Sequence, residues 1–446
     1  MERTLNNHKK EIIAVVVGIL AGILGFALPA QQFVLVAGAA AAVVLILWKP
    51  EIGAFMAVAA IPMCPTTPLI GLIALTVLSY FARLLLYRNI KLKILPTDVF
   101  VAIFGLVLVF STLTSYTVKS SLSVLAIYLA FILFYFVLVN IVRTRQQLYA
   151  LVLLIVLAAT LISLYGIYQY KTGAATSAAW VDTTMFEDIK SRVTSTFGNP
   201  NVLGEYLVLV IPMAVMLLWT QKGWFFKLVS LGIIAIMLLC LILTYSRGAM
   251  LGVLLALFMF AVLKDRRLLI LCFIGLLLLP FVMPQSVINR FASIGNLQDT
   301  SSSYRVSVWL GSLKIAKDYW PSGIGLGLEP FSHVYPKYSL SAAYAYHSHN
   351  IFIQLLVEDG IVGFAAFLAL ILVFYKLMLT GFTRTRDKFI STFMIAAGSG
   401  LAGYLLQGMV DNIWYNYRVM LGFWVVIALG AAAYRIISSE SEVLQL

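Results

Sequence analysis

Two histidines and an asparagine stand at the start of a long apolar stretch, which reads YHSHNIFIQLLVEDGIVG over residues 346–363. Asn350 is a typical N-cap residue, and its place before the apolar run predicts that a helix begins at Ile351. His349 then lies beside the unpaired backbone N–H groups of the first helical turn, where anions bind favourably. An imidazole in that position suits proton abstraction from a hydroxyl group near neutral pH.

Two glycines follow in the same run, next to the acidic pair Glu358 and Asp359. Gly360 and Gly363 fall one helical turn apart, which predicts that another helix backbone approaches closely there. A plain structural interpretation stays open for this stretch. In that interpretation Asn350 only caps a helix, the glycines only pack, and the histidines are interfacial side chains.

Three arginines lie next to apolar runs on what we predict to be the external side of a membrane. Arg192 lies in SRVTSTFGNPNVLGEYL, Arg247 in TYSRGAM, and Arg305 opens an amphipathic stretch. Isolated charge in a membrane is expensive and tends to be functional, so charged groups next to apolar runs are informative. A guanidinium group donates two parallel hydrogen bonds to phosphate oxygens and stays charged. A convergence of these arginines therefore predicts a diphosphate site. The alternatives are a tight turn with a snorkelling side chain for Arg247 and solvated loop positions for the other two.

The sequence predicts no metal and no cofactor. His347 and His349 are two residues apart, do not share a helical face, and have no nearby third ligand. The three cysteines lack metal-ligand spacing, and the chain has no Walker or HExxH motif. Asp411 is expected either to pair with Arg418, as a structural ion pair, or to orient a histidine.

The elements that position these residues must be membrane helices. Of the 446 residues, 62% are hydrophobic and 11% are charged, and the mean hydropathy is +0.99, far from the soluble range. The apolar runs are continuous and lack strand alternation, which predicts an all-α polytopic membrane protein with about 12–14 spans. The third span is short and is a candidate half-helix. The predicted spans are 11–30, 32–48, 51–63, 68–87, 98–116, 121–142, 148–170, 203–220, 225–246, 249–263, 267–283, 351–376, 388–411 and 418–437.

The basic residues predict the orientation. The formal charge of +13 is concentrated in short clusters between apolar runs, a pattern of topology signals rather than of nucleic-acid binding. With a cytoplasmic N-terminus and a retained first helix, every cluster falls on the cytoplasmic side. These clusters include Lys49, Arg83, Arg88, Lys91, Lys93, Arg143, Arg145, Lys222, Lys227, Lys264, Arg266, Arg267, Lys376, Arg384, Arg386 and Lys388.

Two long polar segments, 171–202 and 284–350, then lie outside the cytoplasm. Loops this long are usually functional or disordered, and the aromatic residues of the second indicate an ordered cap. Within it, residues 304–319 are predicted to form a surface helix, with Val308, Leu310, Leu313 and Ile315 as its apolar positions. The chain is thus predicted to be one integral domain: helices in 1–283, the cap loop 284–350, and C-terminal helices in 351–446.

The segment His349-Asn350, nine residues, Gly360, two residues, Gly363 resembles the signature of the O-antigen ligase family, within the O-antigen ligase/polymerase superfamily. Three further segments, 192–207, 245–250 and 305–331, resemble that family in the same order. The resemblance covers residues 190–375 by motifs, whereas the first seven spans match only in hydropathy.

That resemblance implies a metal-independent, inverting glycosyltransferase with a GT-C-like bundle, in the bacterial cytoplasmic membrane. Its donor would be a glycan on undecaprenyl diphosphate, and transfer would occur on the external face. Arg192 and Arg247 would hold the diphosphate, Arg305 would be a further phosphate or structural ligand, and His349 would activate the acceptor hydroxyl. Asn350, His347, Gly360 and Gly363 would support the site.

The acceptor stays open at the level of sequence. A ligase transfers the finished glycan to a glycan, lipid or protein acceptor, whereas a polymerase of the same superfamily transfers it to the next lipid-linked repeat unit. A transporter or flippase of lipid-linked sugars is a further alternative, since a cationic cavity and a broken span also suit transport. Against transport, the basic groups cluster at one surface, and the two halves share no clear repeat.

Overall fold

The computed structural model describes residues 27–86, 94–173, 180, 189, 191–282, 285–293, 300–340 and 344–443. Every regular element in these ranges is a helix, and eleven of the helices are long and apolar enough to cross a membrane. The predicted all-α polytopic class is therefore confirmed. The predicted first span, 11–30, and the basic residues Arg88, Lys91 and Lys93 lie essentially outside the described residues.

The described helices are numbered in chain order. They are α1 (Ala30–Trp48), α2 (Pro50–Ala60), α3 (Thr66–Leu86), α4 (Pro96–Leu113), α5 (Val118–Ile141), α6 (Arg145–Thr172), α7 (Pro200–Thr220), α8 (Trp224–Leu243), α9 (Arg247–Lys264), α10 (Arg267–Val282), α11 (Gln285–Ala292), α12 (Thr300–Asp318), α13 (Leu328–Val334), α14 (Ile351–Arg384), α15 (Lys388–Gly408) and α16 (Tyr417–Val443). Short 3₁₀ turns cover Ser195–Phe197 and Tyr335–Lys337.

Each predicted span after the first coincides with a helix, from α1 to α10 and from α14 to α16. The short third span is α2, which has 11 residues and ends at a turn before Pro65. A helix of that length rises about 16 Å, roughly half of a bilayer core. α2 is therefore a half-helix, as the sequence suggested.

Small residues bring three central helices into backbone contact. A Cβ atom on Gly252 of α9 would lie 2.7 Å from the carbonyl oxygen of Gly403 in α15. A Cβ atom on Gly400 of α15 would lie 2.8 Å from the carbonyl oxygen of Leu209 in α7. Glycine is the residue that permits so close an approach between membrane helices. The contacts fix the start of α7, the start of α9 and the end of α15 relative to one another.

The cap between α10 and α14 packs on the outer part of α14. α12 buries Val308 and Ile315 against Val357 of α14, in one small apolar cluster. The predicted surface helix is therefore present, and two of its four apolar positions are buried. Leu310 and Leu313 remain 49% and 45% exposed, because the buried face of α12 follows Val308 and Ile315, seven residues apart.

α14 is broken at Gly360, where the sequence predicted a continuous helix. Gly360 has φ 63° and ψ −165°, a conformation that glycine adopts readily and other residues rarely do. The break leaves carbonyl groups without helical partners, and the glycine-rich loop after Pro321 satisfies them. Ile324 N–H donates to the Val357 carbonyl at 2.8 Å, and Gly325 N–H donates to the Glu358 carbonyl at 3.1 Å.

The close approach predicted at the two glycines comes from this loop and from a neighbouring helix at different places. Ile361 N–H donates to the Trp320 carbonyl at 2.7 Å, so loop backbone lies directly against Gly360. Gly363 instead faces α4, where Val107 lies 3.4 Å from the position of a Cβ atom. The prediction that one helix packs across both glycines is wrong, because the positive φ of Gly360 separates them.

Candidate functional site

A polar cleft lies where the starts of α7 and α9, the end of α15, and the cap helices α11 and α12 meet. We call it the arginine cleft. Its lining residues are Arg192, Asn201, Tyr245, Ser246, Arg247, Gly248, Arg290, Ser301, Arg305, Gln407, Val410 and Asp411. The three arginines selected from the sequence all line this one cleft, together with a fourth, Arg290.

Arg192 is held by the backbone around the cleft and is only 8% exposed. Its Nε donates to the Thr244 carbonyl at 2.8 Å, its Nη1 to the Trp180 carbonyl at 3.2 Å, and its Nη2 to Asn201 Oδ1 at 2.9 Å. These bonds join the end of α8 to the start of α7. Arg192 thus orders the wall of the cleft while presenting charge to it.

Burial, followed by the charges of Arg290, Arg305 and Arg247, lowers the pKa of Arg192 to about 9. A pKa of about 9 is still above neutral pH, so the Arg192 guanidinium stays protonated there. Four like charges therefore lie together in one cleft at an energetic cost. A bound anion would relieve that repulsion, which makes the cleft electrostatically suited to a phosphate ligand.

Arg247 stands at the first position of α9. Its Nη1 donates to the carbonyl and to Oγ of Ser293, at 3.2 and 3.1 Å. Ser246, the N-cap of α9, makes no side-chain capping bond. Ser246, Arg247 and Gly248 line the cleft, so the start of α9 adds the positive end of a helix dipole to the guanidinium charges.

Asp411 connects the arginines to the histidines. Its Oδ2 lies 3.7 Å from Arg305 Nη2 and accepts a bond from Asn201 Nδ2 at 3.1 Å, while its Oδ1 lies 3.4 Å from His349 Nδ1. Burial alone would raise the pKa of Asp411, but the His349 hydrogen bond and the Arg305 charge hold it well below its usual range. Asp411 is thus a carboxylate that both pairs with an arginine and orients a histidine.

The expected pairing of Asp411 with Arg418 is wrong. Arg418 Nη2 donates to the Thr196 carbonyl at 3.0 Å, and the guanidinium stacks over the Phe197 ring at 4.3 Å. Arg418 thus supports the 3₁₀ turn Ser195–Phe197, which precedes α7. The partners of Asp411 are instead Arg305 of the cap, Asn201 of α7 and His349. The contact with His349 agrees with the alternative prediction that Asp411 orients a histidine.

His349 and His347 lie in contact, with their rings tilted by 52° to each other. Their ring centroids are 4.0 Å apart, and the His349 backbone N–H donates to His347 Nδ1 at 3.2 Å. Burial, followed by the charge of His349, lowers the pKa of His347 to about 3. His347 is therefore neutral at physiological pH and serves as a hydrogen-bond acceptor. It fixes the backbone of His349 rather than exchanging protons.

Asn350 caps α14, as the sequence predicted. Its Oδ1 accepts bonds from the N–H groups of Phe352 and Ile353 at 2.9 and 3.1 Å, and its Nδ2 donates to the Met409 carbonyl at 2.7 Å. The cap therefore ties the start of α14 to the end of α15. His349 does not line the arginine cleft itself but reaches it through Asp411.

Backbone strain concentrates at the helix starts that build the site. Ser195, Tyr245 and His349 are the non-glycine residues with positive φ in the described part of the chain. They precede α7, α9 and α14, respectively. Such conformations cost of order 1–3 kcal/mol each and persist where the surroundings over-determine them, commonly at functional sites.

Sequence reasoning missed Arg290, Asn201 and Tyr245. Arg290 gave a readable signal, because it is a basic residue in the short amphipathic stretch QSVINRFA, directly after an apolar run. Among the described residues, no cluster of histidine, cysteine, aspartate and glutamate has the makings of a metal site. The charges that can hold a phosphate here are those of the arginines.

Residues 232–368 match the family described as O-antigen ligase, which confirms over that segment the resemblance read from the motifs. The segment contains Arg247, Arg290, Arg305 and His349, but neither Arg192 nor Asp411. Two proteins named as polysaccharide ligases, from Rickettsia typhi and Rickettsia prowazekii, are 33% and 32% identical over 85 residues. The match covers 19% of this chain and 19% of each relative.

Proposed function

We propose that this multi-pass membrane protein is an O-antigen ligase-like glycosyltransferase of the GT-C type. It transfers a glycan from undecaprenyl diphosphate to an acceptor hydroxyl on the external face of the bacterial cytoplasmic membrane. The observation that carries the proposal is the convergence of four arginines and a His349–Asp411 pair at one end of the bundle. The family match over residues 232–368 and the rickettsial relatives support a ligase-type function in general.

The reaction would be a displacement at the anomeric carbon of the donor. The acceptor oxygen forms the new C–O bond, the bond between the anomeric carbon and the diphosphate breaks, and configuration inverts. His349 takes the hydroxyl proton on Nε2, while Nδ1–H donates to Asp411, which holds the tautomer. Their 3.4 Å separation is long for a hydrogen bond, as is common before substrate binds.

The leaving diphosphate gains charge as the bond breaks. Guanidinium groups placed at the departing oxygens stabilise that charge in a site already arranged for it. Arg192, Arg247 and Arg305 have this role in the proposal, which requires no metal. His347, which accepts the His349 backbone N–H, and the cap residue Asn350 support the position of His349.

The external placement of the cleft rests on the basic residues at the opposite helix ends. Arg145 Nε lies 2.8 Å from Asp387 Oδ2, and Lys264 Nζ donates to Thr392 Oγ1 at 2.7 Å. These contacts group the end of α9 with the start of α15, one bundle length from the cleft. Because cytoplasmic loops are enriched in lysine and arginine, the cleft is proposed to face outward and the N-terminus inward.

A polymerase of the same superfamily is the second candidate, since it would use the same donor site and differ only in the acceptor. A transporter is disfavoured by geometry. α2 and the break in α14 are features that transporters share, but neither contributes a residue to the arginine cleft. The cleft also lies at helix ends, whereas transporter sites lie near the bilayer midplane.

The deciding experiment uses purified protein in lipid nanodiscs, with a glycan on undecaprenyl diphosphate and separate glycan, lipid and protein acceptors. Without a base, His349→Ala should lower kcat by about 10²–10⁴-fold while donor binding persists. Asp411→Asn should act in the same direction. His333→Ala, at an exposed cap histidine, is the matched control.

A chelator should leave the wild-type rate unchanged. Full activity of His349→Ala would remove this residue as the base. Movement of the donor across the bilayer without a new glycosidic bond would overturn the transferase and favour a transporter. The acceptor that is consumed separates a ligase from a polymerase.

A further inference from the structure

α11 is an eight-residue amphipathic helix at the start of the cap, following α10 in the chain. Ser286 and Arg290 are four residues apart and share one face of the helix, and Ser293 continues that stripe just past its end. Val287 is buried in the main apolar core, and Phe291 is 38% exposed. The helix therefore has a polar stripe, an anchor in the bundle, and an exposed aromatic side chain.

The polar stripe lies across the start of α9. Ser286 Oγ is 3.4 Å from the Tyr245 hydroxyl, Arg290 Nε donates to the Tyr245 carbonyl at 3.5 Å, and Arg247 Nη1 donates to Ser293 Oγ at 3.1 Å. Ser293 Oγ in turn donates to the Arg290 carbonyl at 2.8 Å. The two arginines are thus joined through one serine, and both line the cleft.

We propose that α11 forms the donor lip of the arginine cleft, with Arg290 as a fourth guanidinium ligand of the diphosphate and Ser293 as the residue that positions Arg247. The inference rests on the proposed function and adds a residue and an element to it. α11 follows directly on α10, so a donor whose lipid chain lies in the bilayer can enter past this helix.

Charge balance gives Arg290 a specific consequence. Four guanidinium groups and the Asp411 carboxylate leave three formal positive charges in the cleft. A diphosphate linked to both lipid and glycan carries two negative charges, and the departing lipid diphosphate carries three. With Arg290 the cleft matches the departing group better than the substrate. An interaction that strengthens as the bond breaks raises kcat more than it lowers KM.

The burial and charge of Arg192 fit this placement. Among the neighbouring charges that lower the pKa of Arg192, Arg290 has the largest effect. Both guanidiniums line the same cleft, where their like charges repel. An anion that contacts one is in reach of the other.

The test compares wild type, Arg290→Ala, Arg290→Lys and the exchange Asn289→Arg with Arg290→Asn. The exchange keeps net charge and moves the guanidinium to an exposed neighbouring position on α11. Binding of undecaprenyl diphosphate and undecaprenyl monophosphate is measured in nanodiscs, with transfer kinetics beside it. Loss of one charge-assisted contact should weaken diphosphate binding about 10- to 100-fold, and monophosphate binding less.

Arg290→Ala and the exchange should both lower kcat with little change in donor KM, and Arg290→Lys should recover part of the loss. Ser293→Ala should lower kcat less than Arg290→Ala, since it removes one of the two bonds from Arg247 to Ser293 and removes no charge. Wild-type kinetics in the exchange variant would overturn a direct role for Arg290 and leave the proposed function standing. A wild-type protein that neither binds the diphosphate nor transfers glycan would overturn the proposed function itself.

Discussion

Four guanidinium groups share the arginine cleft, yet each has a different anchor. Backbone carbonyls hold Arg192, and Ser293 holds Arg247. Asp411 pairs with Arg305, and Arg290 donates to the Tyr245 carbonyl. Anchored guanidiniums lose little side-chain entropy when an anion binds, because their positions are already set. At the scale of residues, preorganised charge is what the cleft offers a phosphate.

A pH prediction follows from His347. Its folded-state pKa, about 3, lies below the ordinary value of 6.5, so the unfolded chain binds more protons between these values. Stability must therefore fall as pH decreases through that range. Between pH 7.5 and 5.5 the expected loss is on the order of 1 kcal/mol of unfolding free energy from this residue alone.

Thermal unfolding in nanodiscs at the two pH values measures the effect. His347→Asn keeps an acceptor for the His349 N–H and cannot titrate, so its stability should depend less steeply on pH than that of wild type. His333→Asn removes an exposed histidine from α13 and should leave the wild-type slope unchanged. An equal slope in wild type and His347→Asn would contradict a neutral, buried His347.

Helix ends, rather than helix faces, build the site. α7 and α14 begin at asparagine caps, α9 begins with an uncapped turn, and α15 ends beside Asp411. Helix starts present unpaired N–H groups and partial positive charge, so their convergence adds to the arginine field. The glycine contacts among α7, α9 and α15 keep these ends in register.

The break in α14 gives a prediction at the scale of elements. In Gly360→Ala the new Cβ atom would lie 2.6 Å from the Trp320 carbonyl oxygen, and the residue would keep φ near 63°. The left-handed conformation and the overlap together should lower the free energy of unfolding by about 2–5 kcal/mol. Thermal unfolding in nanodiscs, with transfer activity beside it, checks the prediction.

Gly232→Ala is the control for that variant. Gly232 lies within α8, and a Cβ atom there would meet nothing within 4 Å. Alanine favours helix over glycine by about 1 kcal/mol, so this variant should be neutral or slightly more stable. If Gly360→Ala were as stable as Gly232→Ala, the break in α14 would not require a glycine at position 360.

The whole molecule is polarised from end to end. One end carries the arginine cleft and the cap, and the other carries lysines and arginines between helices. By the positive-inside rule, this asymmetry predicts that the lysine- and arginine-rich end between the helices faces the cytoplasm and that the cleft faces outward. If the orientation were reversed, the cleft would face the cytoplasm and could not use a lipid-linked glycan on the external face.

Single-cysteine labelling checks sidedness, after the native Cys64, Cys240 and Cys272 are replaced by serine. Lys314→Cys on exposed α12 should react with a membrane-impermeant maleimide in intact spheroplasts. Lys222→Cys, exposed at the opposite end between α7 and α8, should react only after permeabilisation. The reverse pattern would place the cleft in the cytoplasm and exclude the proposed reaction there.

The sequence alone determined the helices and the end of the bundle at which the chemistry-bearing residues lie. About 20 apolar residues are needed to cross a bilayer, so hydropathy located the spans closely. The order of the spans then placed Arg192, Arg247, Arg305 and His349 at a common end. Asn350 could be read as a cap because capping is a local interaction.

Only the tertiary structure decided which residues touch at that end. Hydropathy does not encode the lateral order of helices, so neither the Asp411 contact with Arg305 nor the entry of Arg290 could be derived. The contact of Asp411 with a histidine was one of two alternatives, and the structure decided between them. The break at Gly360 likewise depends on a loop that is distant in sequence. N–H groups of that loop donate to the carbonyls that would bond within α14 if the helix were continuous. Contacts between distant segments are set by packing, and packing appears only when the chain is folded.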